Sequence, residues 1–308
     1  MNRIKILGRF ASIALLACAV ACGGGDGDGL ALTQANAQRI ATDGVETSDM
    51  LESMSELVED FDDVIENQTA LQVLCTSGTM SQNINDVAPL NQISTGDSIT
   101  FSFNNCTMED DDGEVTFNGS LSLFVEEVTN GPVEGAFSYR VSFLFNGLTV
   151  TVENALLLVD GGFSVQNSST DGVNLKSVIS GSRYSALAQF GPFAIQRTVS
   201  DFELDRNINT QTDDYWFSYD AQFSGTGIGG TVYFKTTTDF AGNDDDDPSS
   251  GQLEVTSNGD GKITVVALDS NNVQLLVDED GDGTPEYTIN TTWDVLNDEE
   301  SNGNGSEL

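Results

Sequence analysis

The chain has 308 residues and is strongly acidic, with 49 Asp and Glu residues against 11 Lys and Arg residues and a formal net charge of −38. Such a surface repels nucleic acid and anionic lipid headgroups, so the charge argues against DNA or RNA binding and against electrostatic attachment to a membrane. The chain contains no His, which excludes Ser-His and Cys-His nucleophile systems.

The N-terminal segment has the features of a secreted bacterial lipoprotein in the expected order. Basic residues come first, a short apolar stretch follows, and small residues precede a cysteine. The apolar stretch is too short to span a bilayer as a stable helix and fits a cleavable signal peptide. The segment resembles a bacterial lipobox. This resemblance predicts a signal peptide over residues 1–21 and lipidation of Cys22, with Cys18 as the alternative lipidation site. Residues 22–46 are predicted to form a flexible tether. Gly23, rather than Asp, follows Cys22, and by the same resemblance this implies anchoring to the outer membrane of a Gram-negative bacterium.

Residues 47–67 are predicted to form one amphipathic helix. Apolar residues recur every three to four positions, with acidic residues on the other side. The apolar positions are Met50, Leu51, Met54, Leu57, Val58, Phe61, Val64 and Ile65. Thr47 and Ser48 are the candidate N-cap residues. The apolar stripe predicts core packing, and a lid over a ligand is the alternative.

Residues 68–296 are predicted to form an antiparallel β domain, because apolar and polar residues alternate there as they do in half-buried strands. The longest such run covers residues 137–145. Dipeptides typical of tight hairpins punctuate the runs: Asn118-Gly119, Asn130-Gly131, Asn146-Gly147, Asp160-Gly161, Ser180-Gly181 and Asn258-Gly259. The predicted fold is all-β, a long meander forming a barrel, half-barrel or sandwich with the helix packed on its open side. Residues 297–308 are predicted to be an acidic disordered tail.

Cys75 and Cys106 are the two cysteines that remain after the lipobox pair. In an oxidising compartment an isolated pair is usually a disulfide. We therefore expect these two residues to be bonded to each other.

A loop near the C-terminus has the spacing of a calcium-binding loop. Counted from Asp278, acidic residues stand at positions 1, 3, 5 and 9 and Gly stands at position 6. The candidate Ca²⁺ ligands are the carboxylates of Asp278, Asp280, Asp282 and Glu286 and the carbonyl of Thr284. Strands are predicted on both sides, so the loop differs from a helix-loop-helix site. A solvated acidic turn is the alternative interpretation.

Three passages together resemble a group of uncharacterised lipoproteins of Gram-negative bacteria. They are residues 95–106 with 117–121, residues 249–253, and the acidic loop that leads to residues 291–293. The likeness spans most of residues 71–296. It implies localisation to the outer membrane and a β-rich fold, and it brings no activity with it.

Three functions are compatible with these features. The first is a non-enzymatic lipoprotein anchored to the outer membrane. It would serve as a calcium-stabilised β scaffold or as a binding module for an apolar or envelope-derived ligand. Its partners would be the membrane, through the lipid anchor, and that ligand. The second is an extracytoplasmic carbohydrate-active enzyme on a β-sandwich, for which Glu203 and Asp205 resemble the paired acids of β-sandwich glycosidases but lack the third acid of that pattern. The third is a structural or adhesive surface protein. A cavity between helix and sheet favours the first function, convergent carboxylates in a cleft favour the second, and a solid core favours the third.

Overall fold

The computed structural model describes residues 30–66, 75–87, 94–110, 113–129, 136–152, 155–243 and 246–297. Within the first of these ranges, the side chains of residues 55–66 lie outside the description. Every statement below refers to the described residues. The predicted signal peptide, both candidate lipidation sites and residues 298–308 of the predicted tail lie outside them.

The described residues form two helices and thirteen strands. Helix α1 comprises Gln34–Glu66 and the short helix α2 comprises Trp293–Leu296. The strands are β1 Ser77–Asn85, β2 Ser98–Asp110, β3 Gly113–Thr129, β4 Phe137–Val152, β5 Ala155–Ser169, β6 Asn174–Phe190, β7 Phe193–Asn209, β8 Asp214–Gly225, β9 Thr231–Asn243, β10 Ser250–Ser257, β11 Lys262–Ala267, β12 Asn272–Asp278 and β13 Tyr287–Thr292. Within this part of the chain, neither helix is both long enough and apolar enough to cross a lipid bilayer.

The strands form one antiparallel sheet in which each strand pairs with its neighbours in the sequence, from β1 at one edge to β13 at the other. The predicted all-β meander with a helix is therefore confirmed. Over the described strands the sheet is open and does not close into a barrel. Helix α1 contacts strands as far apart as β5 and β12. A single helix can reach both only if the sheet curves around it, so α1 occupies the concave face.

Alternation of apolar and polar residues explains how the strands form one core. Along β4, for example, Val141, Phe143 and Phe145 are buried, whereas Leu144 between them is exposed. Buried rings from neighbouring strands stack against these residues, and the Phe143 and Phe163 rings lie 4.9 Å apart. One face of the sheet thus packs on the core and the other faces solvent.

A row of β-bulges crosses the middle of the sheet, and we call it the bulge row. The pairing register shifts between Phe103 and Cys106 in β2, between Phe145 and Leu148 in β4, and between Ser200 and Glu203 in β7. Residues with positive φ mark its course: Asn105, Gly119, Gly147, Gly161 and Asp201. Each bulge bends its strand and increases the local twist, which accounts for the curvature of the sheet around α1.

Four of the six dipeptides predicted as hairpin turns belong to this bulge row or lie beside it. Asn118-Gly119, Asn146-Gly147, Asp160-Gly161 and Ser180-Gly181 lie inside strands β3, β4, β5 and β6, so the turn prediction is wrong for them. A bulge and a tight hairpin both use residues with positive φ, which is why the dipeptide alone does not separate them. Asn258-Gly259 does lie in the β10–β11 turn, and Asn130-Gly131 lies outside the described residues.

Helix α1 begins at Gln34, well before the predicted start at residue 47, so the prediction of a flexible tether is wrong from residue 30 onward. Leu32, Ala37 and Ile40 are fully buried, which shows why this segment is ordered. The predicted N-cap residues lie in mid-helix, where the Thr47 hydroxyl donates to the Asp43 carbonyl and the Ser48 hydroxyl donates to the Val45 carbonyl.

Two further features hold the structure together. A disulfide joins Cys75 to Cys106, with a Cα–Cα distance of 5.2 Å, so the predicted bond is confirmed. The second feature is Arg197 of β7, which forms ion pairs with Asp43 and Glu46 of α1 while all three side chains are only 10–11% exposed. These ion pairs fix the helix against the centre of the sheet.

Candidate functional site

The acidic loop connects β12 to β13 at one end of the sheet. Val277 pairs with Tyr287 across the two strands, so the residues between them form a closed loop. In this loop Asp278, Asp280, Asp282 and Glu286 each place a carboxylate oxygen within 4.8 Å of the other three. Asp278 is buried and the other three are exposed. The sequence spacing therefore predicted the residues that the fold brings together.

Backbone N–H groups hold these carboxylates in position. The two oxygens of Asp278 accept from the N–H groups of Gly281 and Gly283, at 2.7 and 2.8 Å. Asp282 Oδ1 accepts from the N–H of Thr284 at 2.7 Å. At the end of the loop, the Glu286 N–H donates to the Val277 carbonyl at 2.9 Å. The loop wraps around its own acidic side chains, and these hydrogen bonds hold the carboxylates close together.

Gly281 is required for the loop conformation. Its φ is +73°, and a Cβ added there would lie 2.1 Å from the Asp260 carbonyl oxygen of the β10–β11 turn. Any other residue would have to push the two loops apart.

The carboxylate spacing can be compared with the size of a cation. Ca²⁺ binds oxygens at about 2.3–2.6 Å, so oxygens on opposite sides of the ion are separated by roughly 4.8 Å. The 4.8 Å spread of the four carboxylates fits this value. Mg²⁺ needs oxygens at about 2.0–2.1 Å and a stricter octahedron.

The acidic loop also touches the start of the helix. Glu279 Oε1 accepts a hydrogen bond from the Gln34 N–H at 2.8 Å, so the loop satisfies one of the free N–H groups at the N-terminus of α1. Close by, a Cβ added to Gly261 would lie 2.9 Å from the Leu32 carbonyl oxygen. The order of the loop and the docking of the N-terminal segment are therefore coupled.

A second candidate site is a cavity of about 520 Å³ between α1 and the concave face of the sheet. We call it the helix–sheet cavity. It is bounded by both helices, by strands β7 to β11 and by the segment between β9 and β10. The lining residues on which its chemistry depends are Asp49, Glu52, Arg206, Tyr215, Phe217, Tyr219, Phe240, Asp246, Asp247 and Trp293.

Aromatic rings form a continuous wall of this cavity. Tyr215 stacks on Phe217 at 6.1 Å between ring centroids, and Phe217 stacks on Phe240 at 5.3 Å. Phe240 in turn meets Trp293 edge to face at 6.2 Å. The indole N–H of Trp293 donates to the Pro248 carbonyl at 3.1 Å, so its polar atom is satisfied and its ring is held in place.

Acidic side chains line the rest of the cavity. Asp49 and Glu52 come from α1, and Asp246 and Asp247 come from the segment after β9. The single cationic lining residue is Arg206, whose Nη1 lies 2.6 Å from Glu52 Oε1. The cavity lining therefore has four carboxylates and one guanidinium.

Asp49 carries a strongly perturbed carboxyl group. The surrounding protein raises the pKa of Asp49 to about 7, chiefly because it desolvates the charged form and secondly because the carboxylates of Glu52, Glu46 and Asp247 lie near. Its side chain is nevertheless accessible to water from within the cavity. Near neutral pH this group is therefore divided between its protonated and ionised forms.

Packing of the helix on the open side of the sheet predicts that its apolar stripe faces Phe101, Tyr139, Phe143 and Phe217. The described part of the stripe, Met50, Leu51 and Met54, is buried, and its remainder lies outside the described side chains.

Of the four predicted facing residues, Phe217 lines the helix–sheet cavity, Phe143 lies in the hydrophobic core, and Phe101 is partly buried against that core. Tyr139 lines a separate recess of about 160 Å³ beside Arg206. The acidic residues of the helix–sheet cavity were not predicted, because they come from segments far apart in the sequence. One sequence feature did indicate the aromatic wall: Tyr215, Phe217 and Tyr219 alternate with other residues and therefore lie on the same face of β8.

The acid pair considered for catalysis does not converge on either site. Glu203 is exposed and alternates with the buried residues Phe202 and Leu204, so it lies on the outer face of β7. Asp205 forms an ion pair with Lys176 at 2.5 Å on that same face. Neither residue lines the helix–sheet cavity.

Cys22 and Cys18 lie outside the described residues, so lipidation stays a prediction. Comparison of the chain with known protein families, with characterised proteins and with solved structures found no significant match. The resemblance to lipoproteins of Gram-negative bacteria likewise stays a prediction.

Proposed function

We propose that this chain is a non-enzymatic, lipid-anchored binding module of the outer membrane, and that the helix–sheet cavity holds a small ligand. The observation that carries the proposal is the cavity itself, whose volume of about 520 Å³ falls in the usual range for small-molecule sites, roughly 300–1,000 Å³. A rigid aromatic wall with a few polar side chains is also typical of such sites.

The position of the cavity suits an anchored protein. Leu30 contacts the β8–β9 and β10–β11 turns, near Gly230 and Gly259, whereas the cavity is bordered by the segment between β9 and β10. In an antiparallel meander these connections lie at opposite ends of the sheet. With lipid at Cys22, a few residues before Leu30, the cavity would open away from the membrane.

We further propose that the acidic loop binds Ca²⁺ as a structural ion. Asp278, Asp280, Asp282 and Glu286 would supply carboxylate oxygens and Thr284 a carbonyl oxygen. Bound Ca²⁺ would offset the mutual repulsion of the four carboxylates and, through the Glu279–Gln34 hydrogen bond, would stabilise the start of α1.

The binding proposal is tested by filling the cavity. Val45 of α1 lines the cavity, and the Val45→Trp variant is expected to occupy much of its volume. Calorimetric titrations with choline, glucose and hexanoate sample a cation, a neutral polar molecule and an apolar anion. Binding of at least one probe to the wild type, and its loss in Val45→Trp, supports the proposal. Val87→Trp is the matched control, because Val87 is 58% exposed.

Two results would overturn the binding proposal. One is that no probe class binds the wild-type protein at millimolar concentration. The other is that Val45→Trp, with an unchanged circular dichroism spectrum, binds the same probe as tightly as the wild type.

The anchoring proposal is tested by labelling cells with radioactive palmitate. Cys22→Ser is expected to abolish incorporation and to release the protein from membranes, while Cys18→Ser leaves both unchanged. Incorporation that survives Cys22→Ser and is lost in Cys18→Ser would assign the lipid to the other cysteine.

The cavity also supports a second candidate function, glycoside hydrolysis. A carboxyl group with a pKa of about 7, Asp49, beside the carboxylate Glu52 in one cavity resembles the acid and base pair of glycosidases. Release of nitrophenol from a panel of nitrophenyl glycosides, abolished by Asp49→Asn, would favour the enzyme. An inactive wild-type protein would remove this candidate.

A further inference from the structure

The helix–sheet cavity has an unbalanced charge. Asp49, Glu52, Asp246 and Asp247 line it, against Arg206 as the single cation among the lining residues. Arg206 is already engaged with Glu52 at 2.6 Å, and Asp247 accepts a hydrogen bond from Asn297 at 3.2 Å. Carboxylates held together in a partly desolvated space attract positive charge.

A metal ion does not suit this arrangement. Among the described residues, the acidic loop between β12 and β13 is the one place where three or more carboxylates approach within 4.8 Å of each other. The cavity acids are therefore too widely spaced to share one ion. A volume of about 520 Å³ also far exceeds that of a single metal ion, whereas it accommodates a small organic molecule.

The aromatic wall supplies the second half of the recognition chemistry. The faces of Tyr, Phe and Trp rings attract cations that lie within about 6 Å of the ring centroid. One such contact is already present, since Arg206 Cζ lies 6.0 Å from the centroid of Tyr215. The rings of Phe217, Phe240 and Trp293 continue that wall away from Arg206, and they pair an apolar surface with affinity for positive charge.

We propose that the helix–sheet cavity binds a small organic cation, an amine or a quaternary ammonium group carried on a short carbon skeleton. Its charged group would lie between the carboxylates and the aromatic wall, and its carbon skeleton would pack on the rings. This inference rests on the proposed binding function and adds the chemical class of the ligand to it.

Binding of a cation is coupled to protonation of the cavity. Asp49 has a pKa of about 7, so at pH 6 a proton competes with the ligand for its carboxylate. A bound cation favours the ionised form, lowers the pKa of Asp49 and releases protons. Affinity should therefore rise between pH 6 and pH 8.

The titratable and charged groups around Asp49 come from four of the elements that bound the cavity. They are Glu46 and Glu52 of α1, Arg206 of β7, Tyr215 and Tyr219 of β8, and Asp246 and Asp247 of the segment after β9. The pKa of Asp49 is about 7, so the Asp49→Asn variant should lose the pH dependence.

The test compares the binding of choline with that of its neutral carbon isostere, 3,3-dimethylbutan-1-ol, by calorimetry on the full mature chain. The buffer contains about 0.15 M NaCl, because this salt screens long-range attraction of choline to the acidic surface. Choline is expected to bind the wild type and the isostere to bind at least about tenfold more weakly, a difference of about 1.4 kcal/mol. Wild-type affinity for choline should rise from pH 6 to pH 8, with net proton release.

Three variants locate the effect. Asp49→Asn should weaken choline binding by about tenfold at pH 8 and remove the pH dependence. Glu203→Gln removes one charge from the outer face and should change affinity less than about twofold, because that charge is screened. Phe217→Leu keeps apolar volume without a π face and should also weaken choline binding.

The outcomes separate this inference from the proposed function. If the isostere binds as tightly as choline and both are lost in Val45→Trp, the cavity is a ligand site and the organic-cation inference is wrong. The inference is also wrong if Asp49→Asn and Glu203→Gln weaken choline equally, since binding would then reflect net surface charge. If neither molecule nor any other probe binds, the proposed function fails together with the inference.

Discussion

Replacing Arg197 by Met should destabilise the protein, because it removes the most deeply buried of the described ion pairs between the helix and the sheet. The Arg197 side chain is 10% exposed, pairs with Asp43 and Glu46 of α1, and lies 5.9 Å from the Phe223 ring centroid. The Met side chain retains much of the packing but removes the positive charge. Two nearly buried carboxylates would then remain on the helix without that counter-charge.

The expected cost follows from the burial of these groups. Removing one partner of a buried ion pair typically costs about 3–5 kcal/mol, because the remaining charge stays desolvated. Arg39 also lowers the pKa of Asp43 and compensates in part, so we expect the lower end, about 3 kcal/mol. Lys176→Met is the matched control: it breaks an ion pair with Asp205 whose side chains are 45% and 33% exposed, and should cost less than about 1 kcal/mol.

The loss should depend on pH with a definite sign. Desolvation already raises the pKa of Asp43 in the folded state, while Arg197 lowers it. A carboxyl whose folded pKa is raised binds more protons in the folded than in the unfolded state, so stability falls as pH rises from its ordinary pKa to its folded pKa. Without Arg197 the folded pKa rises further. The variant should therefore lose more stability at pH 8 than at pH 5.

Urea unfolding followed by circular dichroism measures these free energies. The triple variant Asp43→Asn, Glu46→Gln, Arg197→Met removes all three charges and should recover much of the lost stability. The reasoning is refuted if Arg197→Met costs no more than Lys176→Met at pH 8, or if the triple variant is less stable than the single one.

Three further predictions concern other parts of the molecule. Millimolar Ca²⁺ added after EDTA should raise the melting temperature, by the equivalent of about 2.7 kcal/mol at a hundredfold excess over Kd. Mg²⁺ should have a smaller effect, and Ca²⁺ should have no effect on the Asp280→Asn/Asp282→Asn variant. An unchanged wild-type melting temperature would contradict the calcium site. Replacing Cys75 and Cys106 by Ala opens a loop with a sequence separation of 31 and should cost about 3–4 kcal/mol in urea unfolding; a loss below about 1 kcal/mol would show that the bond adds little. Asp49→Asn should stabilise the protein increasingly from pH 4 to pH 7, because the pKa of Asp49 in the folded wild type is about 7 against an ordinary 3.8. The full shift corresponds to about 4 kcal/mol in the free energy of unfolding. Because water reaches the side chain from the cavity, we expect a gain of about 1–2 kcal/mol. Equal stability of variant and wild type at every pH would contradict that pKa.

The features that could be predicted from the sequence are local ones. A period of two in the apolar residues is a property of a few consecutive positions, and it was enough to predict an antiparallel meander. The acidic loop was predicted for the same reason, since all its carboxylates lie between Asp278 and Glu286. The disulfide followed from counting cysteines.

The start of the helix was missed because its buried side uses small residues. Ala37 and Ala41 are fully buried and Gly44 lies against the sheet, where its carbonyl accepts from the Tyr219 hydroxyl at 2.9 Å. Small residues let the helix approach the strands closely, yet they give a weak hydrophobic periodicity. A segment of this kind that follows a Gly-rich one therefore resembled a tether.

The helix–sheet cavity could not be predicted because it depends on tertiary structure. Asp49, Arg206, Asp247 and Trp293 meet there from four separate segments. Their approach depends on how far the sheet curves, which in turn depends on the bulge row. Glycine-containing dipeptides in the sequence gave the positions of several bulges, but not their conformation or their alignment across the strands.

The order of the strands also has a consequence for how the protein folds. Because every strand pairs with its sequence neighbours, the sheet can grow hairpin by hairpin through contacts that close short loops at low entropic cost. Helix α1 behaves differently, since Gln34 and Glu279 are 245 positions apart and the N-terminal segment can dock only after β12 and β13 have formed. We therefore expect a fast phase in which β structure appears, followed by a slower phase in which the helix enters the concave face and Trp293 fluorescence reaches its native value.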